Sequence, residues 1–137
     1  MCLIKNKKYH PFNRPLIAEE DIVCYKHLYV NYNAELVTPH TLAPIPIKCI
    51  QKNVKKRIPF KAEILNKFEF IWRHKLGFSK IVTDGFIHTY SLAPPYHNLF
   101  WGDRVFKCII PKGTKYFIGE CEDEYASEQI IFGERLK

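Results

Sequence analysis

Asp21-Ile-Val-Cys-Tyr-Lys-His-Leu-Tyr-Val30 is the stretch on which the reading of this chain turns. β-Branched and aromatic residues dominate it, and the turn signal Asn31-Tyr-Asn33 follows it, so it reads as a buried strand. The same composition recurs downstream at Ile81 to Tyr90, where Asp84-Gly85 marks a bulge or turn, and at Arg104 to Ile110, Lys115 to Gly119 and Ser127 to Phe132. Pro111-Lys-Gly113 reads as a turn in which Gly113 takes a positive φ.

Other segments fit around these strands. Residues 1–20 are polar and punctuated by Pro11 and Pro15, so an irregular lead-in is expected. Leu36 to Pro39 is a short extended piece, Thr38 to Pro46 a proline-rich loop, and Pro94-Pro95 opens a loop or short helix through Trp101. One amphipathic helix is predicted over Lys61 to Lys75, where Ile64, Leu65, Phe68, Ile71 and Trp72 form a stripe of period 3.6, with Pro59 before it and Gly77 after it. The expectation is an α+β fold: a single domain, 1–137, with a mostly antiparallel β-sheet and one main amphipathic helix. Strand–helix alternation is missing, as are G-x-G-x-x-G and G-x-x-x-x-G-K-[ST], which argues against a Rossmann or P-loop design.

The formal charge of +7 favours an anionic partner, and an aromatic content of 15% favours flat stacking surfaces. Basicity concentrates between residues 48 and 61, a predicted basic loop with six Lys or Arg and no acid, including Lys55, Lys56 and Arg57. The acids cluster at Glu120 to Glu124, which reads as a solvated loop. Five cysteines with no C-x-x-C pair argue against a disulfide framework or a zinc site, and Cys24 and Cys108 sit in apolar runs as small hydrophobes. None of the six histidines falls in a metal-ligand spacing, there is no G-x-S-x-G, and no metal or cofactor is expected. No apolar run approaches 18 residues and the N-terminus lacks a signal h-region, so the expectation is a cytoplasmic protein with no membrane partner.

Two resemblances add to this reading. Gly85-Phe-Ile-His-Thr-Tyr-Ser91 resembles the G-F-x-S-T-S strand of ADP-ribosyltransferases, and Cys108-Ile-Ile-Pro-Lys-Gly-Thr-Lys-Tyr116 followed by Glu124-Tyr-Ala-Ser-Glu-Gln-Ile-Ile-Phe132 resembles their closing strands. Tyr25-Lys26 stands where that family carries an aromatic followed by Arg. The resemblance implies a split antiparallel sheet around an NAD cleft. It also implies a departure: Glu128 matches the first position of the family's E-x-E, while Ile130 occupies the catalytic one and cannot stabilise a developing positive charge. Over nearly its whole length, through Met1-Cys-Leu3, Asp21 to Lys26, Thr38-Pro39, Gly85-Phe86, Ile110 to Thr114 and Tyr125 to Ser127, the chain is similar to small uncharacterised proteins of phages and mobile elements of gut bacteria. That likeness implies an anti-defence role in a bacterial host.

The expected function is therefore a sponge that binds an anionic, NAD-derived or cyclic-nucleotide signal without chemistry. Lys26, Lys107 and Lys112 would offer charge to phosphates, Lys55, Lys56 and Arg57 a basic flap, and Tyr25, His88 and Tyr90 stacking and hydrogen bonds. An enzyme on NAD, a nucleotide or RNA is the alternative, with His88, His27 and Glu128 as acid–base groups. A third reading has the basic stretch bind a host protein or nucleic acid directly. A homo-oligomer is compatible with all three.

Overall fold

The computed structural model describes residues 3–38, 44–50, 58–62, 64, 67–82, 85–91 and 104–135. Its strands are β1 (Leu3–Ile4), β2 (Leu16–Ile17), β3 (Ile22–Val30), β4 (Leu36–Val37), β5 (Phe60–Lys61), β6 (Ile81–Val82), β7 (Ile87–Tyr90), β8 (Arg104–Ile110), β9 (Lys115–Ile118), β10 (Glu124–Ser127) and β11 (Gln129–Arg135). The helices are short: α1 (Ile47–Ile50), and α2 (Lys67–Phe70), which runs on into a π-helical turn, Ile71–Lys75.

The α+β class is as the sequence implies, and every pairing among the described strands is antiparallel. The main sheet runs β2-β9-β10-β7-β3-β8-β11-β5, with β4 attached to β3. Only Glu128 separates β10 from β11, yet β7, β3 and β8 lie between them in the sheet. The path therefore returns on itself, and the sheet curls into a ring. The residues that close it belong to one long bent hairpin: β8 and β9 form one arm, β10 and β11 the other. The arms bend at Pro111–Thr114, where Thr114 N–H donates to Pro111 O at 3.1 Å and Gly113 has φ +88°.

Strand β3 is the axis. It pairs with β8 from Ile22↔Ile110 to Leu28↔Arg104 and with β7 at Tyr25↔Tyr90. Side chains alternate between faces along a strand, and residues directly opposite share a face. Cys24, Leu28, Phe106, Cys108 and Ile110 thus point inward, where Ile87, Ile130 and Phe132 join them and Ile45 and Cys49 cover them. A second core gathers Leu3, Phe70, Val82, Phe86, Phe117 and Ala126. Phe86 lies 5.3 Å from Phe70 and 5.1 Å from Phe117 between ring centroids.

Residues 3–20 are largely irregular, as expected, but they are packed into the fold rather than leading into it. β1 pairs with β6 and β2 with β9, and Leu3, Lys5, Asn6, His10 and Ala18 are buried. Lys5 Nζ donates to the carbonyls of Asn13 and Ser79 (both 2.8 Å), meets His74 Nδ1 at 3.1 Å, and sits 4.3 Å from the Phe117 ring centroid. His10 bridges Arg14 O through Nδ1 and accepts the Ile118 N–H through Nε2, both at 2.8 Å. These polar bonds tie the segment down, and polar residues that make them look like surface in a sequence.

The predicted helix over Lys61 to Lys75 is also corrected. Phe60–Lys61 is a strand paired with Ile130 and Gln129, and helical structure is described only from Lys67. Its inward residues are Phe70 and His74, one turn apart, with rings 5.4 Å from each other. The apolar stripe faces outward instead: Phe68 is 80% exposed. Periodicity identifies a stripe but not the side on which the core lies. Two further readings change: the acidic loop ends at Asp123, because Glu124 opens β10, and the last strand is two segments, β10 and β11. The 48–61 loop begins inside α1 and ends in β5, while its residues 51–57, with Lys55, Lys56 and Arg57, lie outside the described residues, as do 39–43 and the Pro94 to Trp101 segment.

Gly133 sits at the irregularity where β11 leaves regular register with β8. A Cβ there would stand 2.7 Å from the Lys107 carbonyl oxygen, a backbone atom that cannot swing away. Gly133→Ala is expected to cost about 1–3 kcal/mol, read as a fall in Tm. Gly113→Ala, where a Cβ meets nothing within 4 Å and only the positive φ is strained, is expected to cost about 1 kcal/mol. A Gly133→Ala protein as stable as wild type would contradict the close β8–β11 approach.

Candidate functional site

The register that builds the sheet also assembles a row of side chains across the face opposite the first core, a face that Ala126 and Phe117 of the second core share further along. Tyr25 on β3 stands opposite Lys107 on β8 and opposite Tyr90 on β7, and Tyr90 stands opposite Glu124 on β10. Four strands thus present Lys107, Tyr25, Tyr90 and Glu124 in line, spanning three inter-strand spacings or about 14 Å. His27 and His88, each two residues from a member of the row, share its face. The His27 ring meets Tyr90 edge-on, with centroids 5.3 Å apart and planes at 78°. Lys107 is exposed, Tyr25, Tyr90, His88 and Glu124 are half-buried, and His27 is buried.

The row has a charge gradient. Lys107 holds one end. At the other, Glu124 is joined by Asp123, whose Oδ1 is buried and accepts no hydrogen bond from the described residues. Burial pushes the Tyr90 hydroxyl up to about 12, and the neighbouring Glu124 and Asp123 carboxylates push the same way. Burial, then Asp123, raises the Glu124 carboxyl above its ordinary value. Tyr90 is therefore a proton donor over all physiological pH, and the carboxylates beside it are acceptors.

Lys26 does not join this row. Adjacent residues on a strand point to opposite faces, so Tyr25 and Lys26 cannot line one cleft. Lys26 enters the core beside Cys24 and Cys108, is 7% exposed, and donates to His88 O at 2.8 Å. Burial drives its pKa down to about 8. The same burial pushes the Cys24 thiol up to about 11 and the Cys108 thiol higher still. These thiols are uncharged at neutral pH and are no nucleophiles. Lys26 acts as a brace: it fixes the backbone of His88 from behind while the His88 side chain lies on the face of the row.

The remaining candidates are elsewhere. Lys112 is exposed in the β8–β9 turn, five residues past Lys107, with its N–H held by Asp21 Oδ1 at 2.9 Å. Glu128 stands at the β10–β11 junction, four residues from Glu124; its N–H donates to Lys115 O and its carbonyl accepts from Ala62 N–H. The structure thus joins Tyr25, His27, His88, Tyr90 and Lys107, and leaves Lys26, Lys112 and Glu128 out. Asp123 and Glu124 were missed because an acidic run reads as solvated loop; only the strand character of Tyr125-Ala-Ser127 next to it could have shown that Glu124 is held opposite Tyr90. Among the described residues no group of three or more His, Cys, Asp or Glu could hold a metal ion.

The buried ammonium yields a test with a defined sign. The Lys26 pKa lies below its ordinary value of 10.5, so between pH 8 and 10.5 the unfolded chain binds the extra proton. Stability contributed here rises with pH across that window, and the penalty is fully present below it. Lys26→Met removes up to about 3 kcal/mol of desolvation penalty at pH 7, offset by about 1 kcal/mol for the lost bond to His88 O. Urea midpoints are expected to favour the variant at pH 7 and converge on wild type near pH 10. Equal destabilisation at both pH values would refute the buried-ammonium assignment.

Neither a protein-family model, nor a curated protein, nor a solved structure matches this chain.

Proposed function

We propose that this protein binds and sequesters an anionic, nucleotide-like molecule, of the NAD-derived or cyclic-nucleotide class, on the face of its sheet opposite the first core and without chemistry. The carrying observation is the Lys107–Tyr25–Tyr90–Glu124 row. Its length of about 14 Å suits a nucleotide laid across the strands. Lys107 answers a phosphate, the tyrosine rings a base, and Glu124 the hydroxyls of a ribose. The net charge of +7 adds long-range attraction for such a ligand.

What flanks the row supports a binding role without chemistry. Both thiols at the core are held protonated, and Glu128 lies four residues along the chain from Glu124. Ile130, in the core, stands where the resemblance would put the carboxylate that stabilises an oxocarbenium charge. In this reading the protein acts as an anti-defence sponge in the cytoplasm of a bacterial host.

Titration calorimetry against ADP-ribose, NAD and cyclic dinucleotides, followed by denaturation and chromatography of the released ligand, tests the reading. A ligand recovered intact is expected. Lys107→Ala and Tyr25→Ala should each weaken binding by about tenfold, the worth of one charge-assisted bond or one stacked ring, with folding unchanged because neither belongs to a core. A chemically altered ligand would move the assignment to an enzyme. Binding of none of these, with tight salt-dependent binding of nucleic acid, would replace it with the macromolecular reading.

A further inference from the structure

The apolar stripe at helical spacing enters neither core. Phe68 is 80% exposed, Ile71 44% and Trp72 45%; Leu76 at 53% and Phe78 at 63% continue it past the π-helical turn. Trp72 and Phe78 stack with centroids 5.4 Å apart. A second segment brings Phe12, 75% exposed, to the same place: Asn13 Nδ2 donates to Gly77 O at 3.2 Å, and the Gly77 backbone packs directly on Phe12 and Arg14. A lone exposed leucine needs no explanation. Six large apolar side chains gathered from two separate segments do.

The charge around them has one sign. Residues 7–14 and 67–81 carry seven Lys or Arg and one acid, Glu69, which Arg73 engages at 3.7 Å. Lys67, Lys80 and Arg14 are exposed beside the aromatic residues. A partner for this patch must be apolar at its centre and anionic around it. A second copy of the chain would bring the same positive charge and be repelled. The most exposed rings, Phe68, Phe12 and Phe78, project from a helical turn and a loop, which suits insertion better than receipt of a partner into a groove.

We propose that this patch docks the protein on the surface of an anionic lipid bilayer, with Phe12, Phe68, Trp72 and Phe78 at the headgroup–acyl boundary and the flanking Lys and Arg on lipid phosphates. Buried apolar area and basic residues together give reversible interfacial binding of this kind. The patch shares no residue with the Lys107–Glu124 row, so this proposal stands or falls independently of the ligand.

Co-sedimentation of the full chain with vesicles of phosphatidylcholine, with and without one-third phosphatidylglycerol, tests it. Partitioning is expected to be roughly tenfold or more greater on the anionic vesicles, and to fall at least tenfold in Phe68→Ser/Trp72→Ser and in Lys67→Glu/Lys80→Glu. The second variant carries the test if the first fails to fold. In a Trp101→Phe background, Trp72 emission should shift blue with anionic vesicles only. Equal binding to neutral vesicles, no binding to either, or full binding by the folded variants would overturn the proposal. So would a dimer in solution that Phe68→Ser/Trp72→Ser dissociates, because the patch would then serve a second copy.

Discussion

The antiparallel pairing of β3 with β8 is the constraint from which the rest of the molecule follows. One face of the pair carries Cys24, Leu28, Phe106, Cys108 and Ile110 into the core, and the other carries Tyr25, a buried His27 and an exposed Lys107. A slip of one residue would exchange the two sets, sending Tyr25 and His27 into an apolar core and Cys24 and Leu28 to the surface. Register here is therefore fixed by burial. The same register sets the candidate site, because Tyr25 is where the β8 and β7 pairings meet.

Closure of the sheet gives this pairing its strength. The bent hairpin of β8–β9 and β10–β11 grips β3 through β8 on one side and reaches it through β10 and β7 on the other. Both main edges of β3 are thus occupied, and the ring distributes any strain over strands that share one core. Two buried lysines sit within this frame in contrasting ways. Lys5 is held by two carbonyls, a histidine nitrogen and an aromatic face, which together answer most of its donors. Lys26 Nζ makes, among the described residues, one hydrogen bond, to His88 O, and sits among thiols and apolar side chains. A buried charge without an ionic partner is costly, and natural proteins retain one when it fixes something of use. Here the fixed element is the strand that carries His88 and Tyr90.

Much of the fold was legible because strand composition is local. Asp21 to Val30, Arg104 to Ile110 and the Pro111–Gly113 turn are marked by β-branched residues, aromatics and turn chemistry that act within a few positions. The packing of the N-terminal segment was not legible, since Leu3, Lys5 and His10 draw much of their stability from Val82, His74 and Ile118, 69 or more residues away along the chain. The helix was half legible: its stripe is real, but the side that packs is the one bearing Phe70 and His74. Of the site, Tyr25, His27, His88, Tyr90 and Lys107 were identifiable as aromatic or basic residues on strands, whereas the role of Asp123 and Glu124 depends on β10 lying against β7.

The sequence by itself determined the class of fold, the positive charge, the strands of the central sheet and the residue types available to a ligand. These are properties of composition and of short-range pattern. Tertiary structure alone decided which of those residues share a surface. Tyr25 and Lys26 are neighbours in the chain and opposites in space, because successive side chains of a strand point to opposite faces. Lys107 and Glu124 are separated by seventeen positions in the chain and lie at the two ends of one row, because four strands were hydrogen-bonded in a register that only the buried core could select.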